Sequence, residues 1–297
     1  MLHERVRGCL WGLAVGDALG EPFEGLSPEE ARRSPSRSTP LRTTDDTQLA
    51  IATLDAVLEL GYVDRHTIAR RMLSLSVPRM GPTTKASLQE YAKRGGFVPE
   101  KGSTDGAAMR AGPMGLLFEE PERVVNATAL SSLTTHGESI AISAACAVAC
   151  AVWACTVDES PIRWALWGAK RGAEYGRCGR SGKSLVPHLK RAIRSSKSAP
   201  YIDVQRTFGT GIESTEAVPC AMHLIARGLG FAESVMLAAR GGGDADTIAS
   251  MVGCVIGTRE GVRAIPEDWM RSLSSALPAD IELLSRRVVR FRGSHRG

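Results

Sequence analysis

The sequence predicts an all-α fold: a single compact orthogonal helical bundle with its active site in the loops between helices. Three observations carry that expectation. Apolar residues recur at three- and four-residue steps along most of the chain, the period of a helix with one buried face. Convincing runs of apolar–polar alternation, the mark of a half-buried strand, are missing. Aromatic residues make up only 5% of the chain while alanine and glycine are plentiful, a composition that favours close packing of helices over an aromatic-rich sandwich.

The elements follow in order. TQLAIATLDAVLEL (47–60) sets Ile51, Leu54 and Leu58 on one helical face. PERVVNATALSSLTTH (121–136) is less regular but still helix-like. ESIAISAACAVACAVWAC (138–155) is apolar nearly all round, which predicts a helix buried in the middle of the bundle. SPIRWALWGAKRGAEYG (160–176), SLVPHLKRAIRSS (184–196), EAVPCAMHLIARG (216–228) and FAESVMLAARGG (231–242) follow, and IASMVGCVIG (248–257) comes last. Gly, Pro and Ser clusters mark their boundaries. With 297 residues, no repeat of fixed period and no extended low-complexity segment, the whole of 1–297 reads as one domain. Its basic tail, from about residue 286, could be loose.

Net charge is a mild +5. The basic runs RRSPSRSTPLR (32–42), KRAIRSSK (190–197) and RRVVRFRGSHR (286–296) account for much of it. A nucleic-acid partner rests on these runs alone and is disfavoured against solvated loops and a solvated tail. None of the seven cysteines sits in a CxxC pair. Cys146, Cys150 and Cys155 lie in an Ala-rich apolar run, where small thiols pack well and stay reduced. No stretch reaches about 18 uninterrupted strongly apolar residues. The opening MLHERVRGCLWG lacks a basic start followed by an apolar core and a cleavage site. The expectation is a cytoplasmic monomer with no membrane partner.

Four clusters carry chemistry. GLAVGDALGEPFEG (12–25) repeats glycine at 12, 16, 20 and 25 and sets Glu24 in a Gly/Pro-bounded loop. No predicted strand precedes it, so it fails the context test of a dinucleotide fingerprint. A small-residue helix followed by a turn explains it equally well. TTDDTQLAI (43–51) crowds Thr44, Asp45, Asp46 and Thr47 at a helix start. Thr and Asp are preferred caps there, yet before the helix becomes regular both Asp could turn towards one ion. GSTDGAAMRAGPMG (102–115) has small residues that let a ligand approach the backbone, and free N–H groups at a helix start suit phosphate. An ordinary loop is the alternative. GGGDADTIAS (241–250) runs three glycines into Asp244, Asp246 and Thr247. Thr44, Asp45, Asp46, Asp244, Asp246 and Thr247 together offer four carboxylates and two hydroxyls, all hard oxygen donors without a matching Cys/His set. That favours Mg²⁺ or Mn²⁺ over zinc, and four carboxylates could hold two divalent cations. Without a cation such charges repel and some take up protons.

These segments, in this order, resemble the ADP-ribosylglycohydrolase family. The resemblance runs from GCLWGLAVGDALGEPFEG (8–25) to GGGDADTIASMVGCVIGTREGVRAIPEDW (241–269), with TDDT and GGDADT its most telling motifs. THGESIA (135–141) and GTGIESTEAVPCAMH (209–223) also look like family segments. The resemblance implies an all-α fold with a binuclear Mg²⁺ or Mn²⁺ centre held by Thr44, Asp45, Asp46, Asp244, Asp246 and Thr247. It puts Glu24 at the family's acidic position after GDALG, which in some members sits on a mobile flap and reaches a metal or the substrate. The loop carrying Ser103, Thr104, Asp105, Gly106 and Met109 is similar to the one that wraps the ADP-ribose phosphates and distal ribose. His136 matches a position near the substrate.

The implied activity is hydrolysis of the C1″ glycosidic bond of an ADP-ribosyl group, releasing ADP-ribose. The substrate is an ADP-ribosylated protein side chain such as arginine or serine, or a small-molecule conjugate. Glu24, Asp45 and Asp46 are the candidates to activate water and shuttle a proton to the leaving group, through an oxocarbenium-like transition state. Two features depart from the family pattern. Asp105 stands where many members have Asn, and the segment between Glu24 and Thr44 is short and rich in Ser, Arg and Pro. The competing readings are a phosphohydrolase that splits the pyrophosphate and a catalytically silent ADP-ribose binder.

Overall fold

A computed structural model describes every residue except 36–40, 78, 98–101, 178–183, 274–276 and 296–297. Helices form the architecture: α1 (Leu2–Gly20), α2 (Pro28–Arg33), α3 (Asp45–Leu60), α4 (Arg65–Ser74), α5 (Pro82–Arg94), α6 (Pro121–Ser132), α7 (Ser139–Thr156) and α8 (Pro161–Gly172). They continue with α9 (Leu185–Ser195), α10 (Tyr201–Phe208), α11 (Ser214–Ala226), α12 (Phe231–Ala239), α13 (Ala245–Glu260), α14 (Glu267–Leu273) and α15 (Ile281–Ser294). Among the described residues β-pairing is confined to isolated bridges, Thr104 with Glu213 and Glu138 with Arg177. The predicted all-α class is the observed one.

The seam between α1 and α13 positions everything else. The two helices run antiparallel with small residues facing. A Cβ on Gly8 would lie 2.0 Å from the Gly257 carbonyl oxygen, on Gly12 2.1 Å from that of Gly253, and on Gly16 2.1 Å from that of Ala249. The glycines spaced four apart therefore do not form a nucleotide loop. They form one stripe of a helix whose backbone lies directly on its neighbour. Adding a methyl there forces the helices apart, at about 1–3 kcal/mol or more per site. This approach brings the C-terminal half of α1 against the N-terminus of α13.

The buried helix expected at 138–155 is α7. Every residue from Ile140 to Cys155 is buried, and Gly168 and Gly172 of α8 ride directly on Cys146 and Cys150. In length and composition this helix is apolar enough to cross a membrane, yet 89% of it is buried within the protein. The basic tail, which the sequence left free to be loose from about 286, is instead the body of α15. Asp280 caps that helix by accepting from the N–H groups of Glu282 and Leu283. Val288, Phe291 and Arg292 are buried. Arg292 donates to the Leu116 carbonyl at 3.2 Å, and Arg287 pairs with Asp55 of α3. A charge run that looks solvated in sequence thus presents one face to the core.

Candidate metal and substrate site

Thr44 is the N-cap of α3 and accepts from the Asp46 N–H at 3.3 Å. The cap explains the Thr–Asp–Asp pattern locally, and the acids suit the positive end of the helix. A third carboxylate completes the arrangement. Asp17, buried on α1, accepts from the N–H groups of Thr44 (3.0 Å) and Thr47 (3.1 Å) and from the Thr47 hydroxyl. It anchors the start of α3 to α1. At α13, Gly242 and Gly243 take positive φ of 71° and 66°. A Cβ on Gly243 would lie 2.1 Å from the Thr210 carbonyl oxygen, so the bend needs glycine. That bend delivers Asp244 as the N-cap residue of α13, with Asp246 and Thr247 in its first turn.

The two helix starts meet. The Thr247 hydroxyl donates to Asp46 Oδ2 at 3.2 Å, and the Thr44 hydroxyl donates to the same oxygen at 3.3 Å. Asp17, Asp46 and Asp246 each place a carboxylate oxygen within 4.8 Å of the others. Asp46 Oδ1, Asp105 Oδ2 and Asp244 Oδ2 are buried without a hydrogen-bond partner. Orphan oxygens of this kind carry an unpaid desolvation cost unless a cation or a proton meets them. The donor set is all oxygen and clustered, as a divalent hard cation requires.

Electrostatics point the same way. Burial pushes Asp17 up to about 6 and Asp105 up to about 8. Burial first, then the Asp246 carboxylate, holds Asp46 well above the usual carboxylate range. Asp244 and Asp246 are raised in the same sense, by burial first and then by the acid beside each. Asp105 lies beside Asp244 and raises it further, and burial favours the neutral form of both carboxyls. The acid that departs from the family's Asn therefore need not add a negative charge where phosphates are expected.

A cavity of about 290 Å³ opens over this cluster. Glu24, Asp45, Asp46, Thr104, Asp105, Gly106, Met109, Asp244, Asp246 and Thr247 all line it. Ten of the expected site residues thus share one cavity. Thr44 sits behind, as the cap. Ser103 turns its carbonyl to the Ser214 N–H at 3.1 Å. His136 is fully buried beneath the glycine loop and bonds Thr104 at 2.9 Å. The loop at 102–106 is itself braced by the 209–214 segment, through Asp105 N–H to the Ile212 carbonyl at 2.9 Å.

Sequence reasoning missed three groups. Asp17 was legible only as an acid embedded in a run of glycine, alanine and leucine, a setting in which a carboxylate must find partners. Arg79 lies at the cavity wall, bonding Glu24 at 2.8 Å and also pairing with Glu21. Two residues on, the Gly81 N–H donates to Asp45 Oδ2 at 3.1 Å. Arg110 is buried beneath the glycine loop, where it donates to the Gly106 carbonyl.

Comparisons with known proteins identify the family. The profile of the ADP-ribosylglycohydrolase family matches residues 1–296. An uncharacterized protein of Archaeoglobus fulgidus is 33% identical, the match covering 92% of each chain. The ADP-ribosylhydrolase ARH3 of Homo sapiens is 25% identical over 93% of this chain and 91% of its own. The ADP-ribosylarginine hydrolase Tri1 of Serratia proteamaculans is 24% identical over 91% of this chain and 75% of its own. A solved structure described as an ADP-ribosylglycohydrolase-related protein complex superposes with a TM-score of 0.76 at 27% identity, covering 98% of both chains. The chain belongs to the ADP-ribosylglycohydrolase family and is a glycosidic-bond hydrolase.

Proposed function

We propose that the protein hydrolyses the C1″ glycosidic bond of ADP-ribose conjugated to a protein side chain, such as arginine or serine, and releases ADP-ribose, with two divalent cations, Mg²⁺ or Mn²⁺, in its centre. The observation that carries this reading is the meeting of two helix starts over one cavity. Their carboxylates converge and three buried oxygens there lack a partner.

Asp46, Asp246 and Asp244, with Thr44, Asp45 and Thr247 around them, are the residues that would hold the cations. The cations would bind ribose hydroxyls and stabilise the charge of the transition state. The chain's own contribution is then positional. Asp17 fixes the start of α3, and the Gly81 N–H fixes Asp45. Glu24 is the cavity carboxylate with the most solvent contact, about a third exposed. It is therefore the residue placed to take a proton from an incoming water and pass it on to the leaving group. Thr104, Asp105 and Gly106 form the opposite wall and bind the ADP-ribose moiety. The six described cysteines are all free and buried, which supports a reducing, cytoplasmic setting. We take the working unit to be a monomer.

Product analysis tests the reading. Intact ADP-ribose from a conjugate, abolished by EDTA, supports it. AMP as the product would move the chemistry to the pyrophosphate.

A further inference from the structure

We infer that Arg110 is a positioning residue: through Thr135 it fixes His136 as the Nε2–H tautomer, and so makes the Thr104 hydroxyl a donor to an acceptor oxygen of a ligand in the cavity. Arg110 is 2% exposed, and among the described residues no carboxylate lies within ion-pair reach of it. A buried guanidinium without an acid partner is costly, and here it spends its hydrogen bonds on the substrate loop. It donates to the Gly106 carbonyl and, at 2.8 Å, to Thr135 Oγ1. Thr135 Oγ1 in turn lies 2.8 Å from His136 Nδ1, and His136 Nε2 lies 2.9 Å from Thr104 Oγ1. Thr104 Oγ1 donates to Thr83 Oγ1 at 3.0 Å.

The direction of the chain follows from counting protons. A guanidinium only donates, so Thr135 Oγ1 accepts from Arg110. The Thr135 hydroxyl is fully buried, and its one proton has a single acceptor in reach, His136 Nδ1. Were Nδ1 protonated, that hydroxyl proton would be buried without a partner. Nδ1 is therefore the acceptor, and neutral His136 carries its proton on Nε2. A doubly protonated ring would strand the same hydroxyl proton, and burial, with the Arg110 charge beside it, holds His136 well below its usual range. The Nε2–H donates to Thr104 Oγ1, so the Thr104 proton points onward: here it goes to Thr83 Oγ1, and a ligand oxygen in the cavity that Thr104 lines would take it over. A charged donor at the buried end thus polarises the whole chain towards the ligand. Phosphate and ribose oxygens accept such a bond.

The tautomer is independent of the proposed activity; only its consequence for the ligand rests on that reading. The test is long-range ¹H–¹⁵N NMR on the full chain labelled at histidine, with His136 assigned by loss of its signals in His136→Gln. Wild type is expected to show Nδ1 unprotonated and Nε2 protonated. Thr135→Val, of nearly the same shape, releases the constraint, so an Nδ1–H population appears. The same variant weakens ADP-ribose binding, read by calorimetry, by about 3- to 10-fold, the worth of one hydrogen bond, while Thr135→Ser restores both readouts. Thr104→Val gives the same loss of affinity, and the double variant loses no more than either single one. An Nδ1–H tautomer in wild type overturns the inference. So do unchanged affinity in Thr104→Val and fully additive losses in the double variant. Absence of turnover on every conjugate, with these binding results intact, would instead count against the proposed reaction.

Discussion

The Thr247 hydroxyl donates to Asp46 Oδ2 at 3.2 Å, across a separation of 201 residues. This contact closes the site. It ties the first turn of α13 to the first turn of α3, and the glycine seam between α1 and α13 brings them within reach.

The carboxylate cluster should fail as a unit. Asp246→Ala is expected to lose divalent-cation binding and turnover together, because it removes one corner of the Asp17–Asp46–Asp246 group. Calorimetry with Mn²⁺, read beside product release, checks this. A fully active variant that no longer binds metal would contradict it.

The seam should be intolerant of a single methyl. Gly16→Ala places a Cβ 2.1 Å from the Ala249 carbonyl oxygen, with backbone rather than a flexible side chain in the way. The expected loss is about 1–3 kcal/mol or more, about 2–4 °C in Tm for each kcal/mol. Gly61→Ala is the contrasting control for space. Its Cβ would meet nothing within 4 Å, and its cost is confined to the strain of a positive φ. Thermal melts of the two variants distinguish crowding from strain.

The metal-free protein should lose stability as pH rises, the reverse of an ordinary salt-bridged acid. Asp17 is raised to about 6 and Asp105 to about 8, against about 4 in an unfolded chain. The folded state therefore binds these protons more tightly. Their contribution is complete below about pH 4 and disappears as pH climbs through 6 and then 8. Cations need the deprotonated carboxylates, so the Tm gained on adding Mg²⁺ or Mn²⁺ should grow from pH 5.5 to pH 8.5. Melting curves in EDTA and in saturating metal over that range test both trends. A metal-induced gain that shrinks with pH would contradict the account.

Arg79 should matter to rate more than to stability. Its pair with Glu24 is about half exposed on the arginine side, and such pairs contribute about 0–1 kcal/mol. Arg79→Gln is therefore expected to leave Tm nearly unchanged. Losing control over where Glu24 points should lower kcat/KM by about 10- to 100-fold. A variant with wild-type kcat/KM would remove Glu24 positioning from the mechanism.

Much of this site was legible because its chemistry sits in short contiguous segments. Thr44–Asp46 and Asp244–Thr247 announce themselves as acids crowded at helix starts, and the glycine loop at 102–106 as a close backbone approach. Asp17 and Arg110 were not legible for a common reason. Each is a single charged residue within a run that otherwise packs, and its partners arrive from remote segments. Asp17 acts on Thr44 and Thr47, and Arg110 on Thr135. The glycines of α1 were visible as a pattern, but their purpose depends on Gly253, Gly257 and Ala249 in α13. The tail at 286 misled because the charge of α15 hides the apolar face formed by Val288 and Phe291.

The measurement that tests the central claim most directly is the product released from arginine-linked and serine-linked ADP-ribosylated proteins, resolved by mass spectrometry, in Mg²⁺, in Mn²⁺ and in EDTA. The account predicts intact ADP-ribose from at least one linkage, with either cation and none in EDTA. Release that persists in EDTA, or AMP as the product, would contradict it.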